Sequence, residues 1–156
     1  HIHNIRAMLS ISPNTFTITE YVPFVVTYTI SSDDPSENVG IEEVTITVNG
    51  ADVAPDLTIT HEDDNSFTVS GVISDVFNRS MAYLDVDDAV RIVSRFEDIP
   101  ENFHTLYKYV GATTNSITAS VSVTTNVGTM HTHIIINNNF NAANAKLIEY
   151  VQKGVF

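Results

Sequence analysis

The sequence predicts a mainly β protein, an antiparallel β-sandwich that ends in a short helix. Apolar and hydroxyl residues alternate in several segments, such as FTIT at 16–19 and ITASVSV at 117–123. This period of two is typical of a strand with one buried face. Turn-forming residues separate the segments at spacings of about ten residues, which is typical of sandwiches. Residues 141–156 change to helical spacing.

The N-terminal half of the chain supplies the clearest strand signals. Residues 1–12 are interpreted as an N-terminal arm, with a first edge strand as the alternative, and 15–20 as a strand. The stretch 24–50 is interpreted as a hairpin of two long strands joined by an acidic turn at 33–36. It ends in Asn49-Gly50, the strongest short turn signal.

Further strands are predicted along the rest of the chain. Gly71, at an inward position of the strand 67–73, predicts a bulge or a close approach of backbone. Residues 86–93 fit a helical stripe, but a strand at 89–96 is preferred because the surroundings are β. The other predicted strands are 57–61, 106–110, 117–125 and 129–137.

The last residues predict a helix over 141–156, with Asn141 as its N-cap. A helix this short is marginal alone and must pack on something. Leu147, Tyr150 and Val151 are therefore predicted to contact the sheet or a neighbouring protein. The sandwich is assigned to 13–140, either as one unit or as two sub-units that divide near 76–88.

Charge and composition exclude several classes of function. The chain has 19 acidic and 7 basic residues and a formal charge of −12, so nucleic acid and anionic membranes are unfavourable partners. It has no cysteine, which excludes disulfides, thiolate zinc sites and cysteine nucleophiles. The sequence shows neither a membrane-spanning apolar run nor the pattern of a secretory leader.

His131 and His133 form the most suggestive metal-ligating pair. Alternate residues of a strand lie about 6.6 Å apart on one side, so both imidazoles could approach one metal ion. Two histidines are an incomplete site, which a trimer could complete in a way that resembles the metal-binding tips of phage tail spikes and fibres. The alternative is a pair of exposed or hydrogen-bonded sheet histidines.

Acidic turns are the second group of candidate ligands. Asp85, Asp87 and Asp88, like the acidic turns at 33–34 and 62–64, offer the hard carboxylate oxygens that calcium prefers. The alternative is a set of solvated turns. No nucleophile elbow, phosphate-binding loop or metalloprotease helix motif is present. The sequence therefore predicts no catalytic residue, no enzyme, and no cofactor beyond calcium or a transition metal.

Four segments resemble the immunoglobulin-like modules of bacteriophage virion proteins and bacterial adhesins. They are 16–19, 24–30, 44–50 and 67–71. The chain departs from antibody-type domains because it lacks their cysteine pair and tryptophan. The resemblance implies an immunoglobulin-like sandwich and a non-enzymatic role.

Two functional hypotheses follow from the resemblance and the composition. The first is a structural or interaction protein of a phage-like virion, in the decoration, neck or tail class, that contacts other virion proteins and further copies of itself. The second is an adhesion or carbohydrate-binding module on an extracellular surface, with calcium dependence left open.

Overall fold

The structure is a computed structural model that describes residues 8–84, 90–94, 108–112 and 115–152. Within these residues the chain forms twelve strands, one short 3-10 turn at Ala54–Asp56 and one α-helix. The elements are β1 Leu9–Ser12, β2 Thr15–Thr19, β3 Phe24–Ser32, β4 Ile41–Val48, β5 Ala51–Asp52, β6 Leu57–Asp63, β7 Ser66–Gly71, β8 Arg79–Leu84, β9 Val90–Ser94, β10 Lys108–Ala112, β11 Ser116–Thr125, β12 Gly128–Asn137 and α1 Phe140–Gln152.

Two of the sheets have the strand order of an immunoglobulin-like sandwich. One sheet has the order β1-β3-β7-β6 and the other the order β2-β12-β11-β4-β5. With β2 and β5 set aside as extra edge strands, the remaining seven strands in chain order follow the pattern ABED and CFG of that fold. The predicted fold class, a mainly β immunoglobulin-like sandwich with a short C-terminal helix, is confirmed.

The core forms because each strand turns alternate side chains inward. In β3, Val26, Tyr28 and Ile30 are buried while Thr27 and Thr29 are exposed. The same alternation holds in β11 and β12, as the sequence predicted. The buried residues of these two strands include Ala119, Val121, Val123, Thr132, Ile134 and Ile136.

The predicted hairpin of residues 24–50 is wrong, because β3 and β4 lie in different sheets. β3 pairs with β1 and β7, whereas β4 pairs with β11 and β5. Residues 33–40 carry the chain from one sheet to the other. Alternation shows that a strand has one buried face, but it does not identify the strand that pairs with it.

The chain divides into two compact units, and each is described by itself. The first comprises His1–Ile18, Val22–Ile73 and Thr118–Ile136. The second comprises Thr19–Tyr21, Ser74–Ile117 and Asn137–Phe156.

Of the predicted N-terminal arm, residues 9–12 form β1, which pairs with β3 in an antiparallel ladder.

The second unit contains a three-stranded antiparallel sheet with the order β10-β8-β9, and α1 lies beside β10. The strand preferred at 89–96 is confirmed as β9, while β5 and β8 were not predicted. No helix in the described ranges is long and apolar enough to cross a bilayer.

The start of α1 differs from the prediction that Asn141 is the N-cap. The helix begins at Phe140, and the Asn139 side-chain oxygen accepts a hydrogen bond from the Ala142 N–H at 3.3 Å. Asn139 is therefore the cap, because an N-cap oxygen accepts from the third helical residue. The prediction failed because Asn139 and Asn141 are equally good capping residues.

Gly71 lies where backbone and side chain approach closely, as the sequence predicted. Its φ is +138°, a conformation that is unfavourable for residues with a Cβ. A Cβ at this position would lie 3.0 Å from Leu57 Cδ2 and 3.2 Å from the Asp56 carbonyl oxygen. Gly71 thus permits β6 to enter the sheet directly beside β7.

Gly71→Ala should lower the free energy of unfolding by about 2–4 kcal/mol, because strain and crowding act together. Gly50→Ala is the matched control: Gly50 also has positive φ, +81°, but no atom lies within 4 Å of its Cβ position. That substitution should cost only about 1 kcal/mol. Urea unfolding of both variants measures the difference, and equal losses would contradict a role for close approach at Gly71.

Tyr28 is a fully buried tyrosine in the sandwich core. Its ring stacks on Phe67 with centroids 5.2 Å apart. The Tyr28 hydroxyl has no hydrogen-bond partner within the described part of the chain. Burial raises the pKa of Tyr28 to about 12.

Tyr28→Phe should leave the free energy of unfolding unchanged or raise it by about 1 kcal/mol, because it removes an unpaired buried hydroxyl. The wild type should lose stability between about pH 10 and pH 12, since the unfolded tyrosine ionises first while the folded one keeps its proton. The variant should lose less over this interval. Denaturant unfolding at neutral and alkaline pH tests both points, and a strongly destabilised variant would refute them.

Candidate functional site

Three connections meet at one end of the first unit, which we call the loop end: residues 33–40, 64–65 and 126–127. Asn65 lies in the connection between β6 and β7 and bonds it to β3: the Ile30 N–H donates to the Asn65 backbone carbonyl at 2.8 Å, and the Asn65 amide nitrogen donates to the Ile30 carbonyl at 3.0 Å. The Ile41 N–H donates to the Asp64 carbonyl at 2.7 Å. The connections are thus bonded to strands of both sheets.

Asn126 braces the longest of these connections. Its side-chain oxygen accepts from the Gly40 N–H at 2.7 Å, and its amide nitrogen donates to the Asn38 carbonyl at 2.9 Å. The Asn126 N–H also donates to the Gly40 carbonyl at 3.1 Å. One side chain therefore replaces the strand pairing that residues 38–40 lack.

Two aspartates fix the other half of the same connection. The Asp33 carboxylate accepts from the Met8 N–H at 2.8 Å. The Asp34 carboxylate accepts from the Ser36 hydroxyl at 2.7 Å and from the Ser36 N–H at 2.9 Å. These hydrogen bonds favour the ionised form and hold the pKa of Asp34 below its usual value.

The loop end is strongly anionic. Two open grooves of about 400 and 680 Å³ cut into it and share Asp64 and Asn65. No group of three His, Asp or Glu side chains in the described residues is placed to hold a metal ion. The acidic residues of the loop end and its adjoining strands are Asp33, Asp34, Glu37, Glu42, Glu43, Glu62, Asp63 and Asp64.

The predicted pair His131 and His133 lies on the outer face of β12. Both side chains are exposed, while Thr132 between them is buried. The His131 Nδ1 atom is 3.0 Å from the Ser122 hydroxyl oxygen of the neighbouring strand. The two histidines therefore share a face, as the sequence predicted. They match the alternative of an exposed and hydrogen-bonded pair. Metal binding by His131 and His133 stays a prediction.

The other predicted site residues are not tested. Asp85, Asp87 and Asp88 lie outside the described residues. The backbone of α1 is described as far as Gln152, but the side chains of Leu147, Tyr150 and Val151 lie outside the described part. Calcium binding by the first set and interface contacts of the second remain predictions.

The second unit contains a buried ion pair that was not predicted from the sequence. The Arg79 guanidinium donates from Nη1 to Glu20 Oε2 at 3.2 Å and from Nη2 to Glu20 Oε1. Both side chains are 0% exposed. The guanidinium carbon also lies 5.3 Å from the centroid of the Phe77 ring, a distance at which a cation–π contact is favourable.

The ion pair is linked to the start of α1. Arg79 Nη2 donates to the Asn138 side-chain oxygen at 2.9 Å. The Asn139 N–H donates to Glu20 Oε1 at 3.2 Å, and its amide nitrogen donates to the Glu20 carbonyl at 3.1 Å. Glu20 therefore holds β8 through Arg79 and the helix N-terminus through Asn139.

A strained pair adjoins the ion pair. The Tyr21 hydroxyl donates to the Asp75 carboxylate at 2.6 Å. Both residues have positive φ, 68° and 60° respectively, which is uncommon for residues with a side chain. Burial, and then the hydrogen bond to Asp75, raise the pKa of Tyr21.

One half of the ion pair has a signal in the sequence, namely the inward position of Arg79 in an alternating segment. Phe77 and Arg79 are buried while Asn78 and Ser80 are exposed. An arginine at an inward strand position requires a buried acid, since an unpaired buried charge is unfavourable. Nothing local identifies Glu20, which is 59 residues away in the chain.

No family model and no curated protein matches the chain. Among solved structures it is similar to a chimeric titin Z1Z2 functionalized with a KLER exogenous peptide from decorin, with a TM-score of 0.41, 14% identity, and coverage of 85% of this chain and 96% of that one. It is also similar to titin domain M7, with a TM-score of 0.41, 10% identity, and coverage of 88% and 99%. At this level the likeness carries no argument, and the assignment of the fold rests on strand order.

Glu20→Gln should lower the free energy of unfolding by about 3–5 kcal/mol, because it leaves the Arg79 charge buried without its anion. Glu43→Gln is the matched control on an exposed strand position and should change stability by less than about 0.5 kcal/mol. Denaturant unfolding followed by circular dichroism measures both.

The double variant Glu20→Leu/Arg79→Met distinguishes the cost of an unpaired buried charge from the net contribution of the ion pair to stability. It should be less destabilised than Glu20→Gln, since it leaves no unpaired charge. A loss below about 1 kcal/mol for Glu20→Gln would show that the pair is dispensable.

Proposed function

We propose that this protein is a non-enzymatic structural and interaction component of a phage-like virion, in the decoration, neck or tail class. The resemblance of its strands to immunoglobulin-like modules of virion proteins motivates the setting. The proposed partners are other virion proteins and further copies of the chain.

The observation that supports the proposal is that polar side chains bond the backbone of the chain's own connections. Asn65 and Asn126 bond the backbone of the connections at the loop end. Glu20 accepts hydrogen bonds from Arg79 and from Asn139 at the start of α1. These groups fix the chain's own connections, and a scaffold that rigidifies its surface in this way suits a protein whose role is to be contacted.

Charge supports a protein partner with a cationic surface. The first unit contains ten Asp and Glu residues and one basic residue, Arg6, so its formal charge is −9. The second unit contains nine acidic and six basic residues, so its formal charge is −3. An anionic sandwich is steered toward cationic surfaces and away from nucleic acid.

Localisation on particles tests the proposal. Phage-like particles from the organism that encodes the chain are purified on a density gradient and labelled with a gold-conjugated antibody to the purified protein. The proposal predicts co-sedimentation and label at the capsid surface, neck or tail. Protein found only in particle-free fractions, or only on the cell envelope, would overturn it.

Thermal unfolding with calcium separates the proposal from the alternative of a calcium-dependent adhesion module. A ligand that binds only the folded state raises the unfolding temperature. The proposal predicts the same midpoint with and without millimolar calcium, with magnesium as the control. A rise that is specific to calcium would favour the adhesion module and count against a purely structural role.

A further inference from the structure

Two exposed imidazoles, those of His131 and His133, project from the outer face of β12. Thr132 between them is buried, so the strand turns both imidazoles to the same side. Alternate residues of a strand are about 6.6 Å apart, and a metal–nitrogen bond is about 2.0–2.1 Å long. Rotation about the side-chain bonds therefore allows both rings to reach one metal ion.

The Ser122 hydroxyl orients one of the two rings. The His131 Nδ1 atom lies 3.0 Å from the Ser122 hydroxyl oxygen on the neighbouring strand β11. A ring that donates its Nδ1 proton to this oxygen presents the lone pair of Nε2 to a metal ion. Metal-binding histidines almost always donate their second ring N–H to a partner. Ser122 is thus placed as the supporting partner of a ligand that binds through Nε2.

The register of the β11–β12 hairpin places a second hydroxyl beside the other ring. The two strands are joined by residues 126–127, and Ser122 lies beside His131. In an antiparallel ladder, two residues forward on one strand match two residues back on the other. Ser120 therefore lies beside His133, so that both imidazoles have a hydroxyl neighbour on β11.

The charges around the pair favour a cation. The described residues of the first unit include no Lys or Arg, so no ammonium or guanidinium group among them repels a metal ion. On β4 and β5, the outer face of the same sheet carries Glu43 and Asp52. An anionic surface raises the local concentration of cations, and the two imidazoles supply the nitrogen ligands that select among them.

We propose that His131 and His133 of a single chain form an open site for a divalent transition metal ion, and that Cu²⁺ binds most tightly. Affinity at nitrogen and oxygen sites rises along the first-row metals to Cu²⁺ and falls again at Zn²⁺. No third His, Asp or Glu side chain in the described ranges joins the pair, so water completes the coordination. Cu²⁺ accepts such a tetragonal set of nitrogen and oxygen ligands, whereas structural Zn²⁺ sites take four protein ligands.

Isothermal titration calorimetry with Cu²⁺ alone tests the site. The reference chain is the full chain with His1→Asn and His3→Asn, because these histidines lie outside the described residues and offer further ligands. It should bind one Cu²⁺ per chain at the pair, more tightly than Zn²⁺. Adding His131→Asn or His133→Asn should weaken binding by about tenfold or more, since the second ligand no longer binds intramolecularly. Adding His61→Asn, at an exposed position on β6, is the matched control and should leave the affinity unchanged.

Electron paramagnetic resonance of the Cu²⁺ complex counts the bound nitrogens. The reference chain should show hyperfine splitting from two nitrogen ligands, and either single variant from one. Ser122→Ala should weaken binding by about tenfold and keep both nitrogens, because Ser122 positions a ligand without binding the metal.

Two results would overturn the site. One is a stoichiometry of one ion per two or three chains, which would mean that a single chain does not form it. The other is equal affinity in the reference chain and in the variants at His131, His133 and His61. The site does not depend on the virion setting. A chain that labels particles but binds no Cu²⁺ at this pair would overturn the site and leave the proposed function standing.

Discussion

The packing of the two inner sheet faces is the constraint on which the rest of the structure depends. Each buried apolar side chain contributes about 1.5–3 kcal/mol, and strand geometry then sends its neighbour to the surface. In β3, burial of Tyr28 and Ile30 leaves Thr27 and Thr29 outside. Because hydroxyl residues fill most outer positions, the carboxylates are concentrated in the connections and at strand ends. The hydroxyl-rich centre of the outer face of the sheet β1-β3-β7-β6 and the anionic loop end are therefore two consequences of one pattern.

Local pattern was sufficient to predict most strands of the sandwich, because alternation is a property of neighbouring residues. A glycine at an inward strand position was the local signal for the close approach of Gly71 to Leu57. It could not predict which strands pair: β3 and β4 have the alternation of hairpin strands, yet the connection between them is braced by Asn126, 86 residues further along the chain. Asn139 rather than Asn141 caps α1, where the N–H of Asn139 meets the carboxylate of Glu20, 119 residues away. The roles of these side chains depend on contacts that exist only after folding.

The second unit is held differently from the sandwich. Its described core includes a buried ion pair, and such a pair adds little net stability while it penalises every arrangement that separates the charges. Glu20 contacts Arg79 on one side and Asn139 on the other. A shift of β8 would therefore leave a charge unpaired, and a shift of α1 would break the hydrogen bonds from Asn139 to Glu20. The pair therefore specifies the arrangement of these elements more than it stabilises them. The unusual backbone of Tyr21 and Asp75 is held beside it by their mutual hydrogen bond.

Hydrogen bonds from the Asn126 side chain and from backbone groups brace the connections at the loop end. Amide hydrogen exchange at Gly40 and Ile41 tests this most directly, since their N–H groups donate to Asn126 and Asp64 across the loop end. Amides of an unbraced surface connection exchange rapidly because such a segment opens at little cost. The account predicts protection of Gly40 and Ile41 close to that of Val26 in the centre of β3. Immediate exchange at both positions, with Val26 still protected, would contradict it.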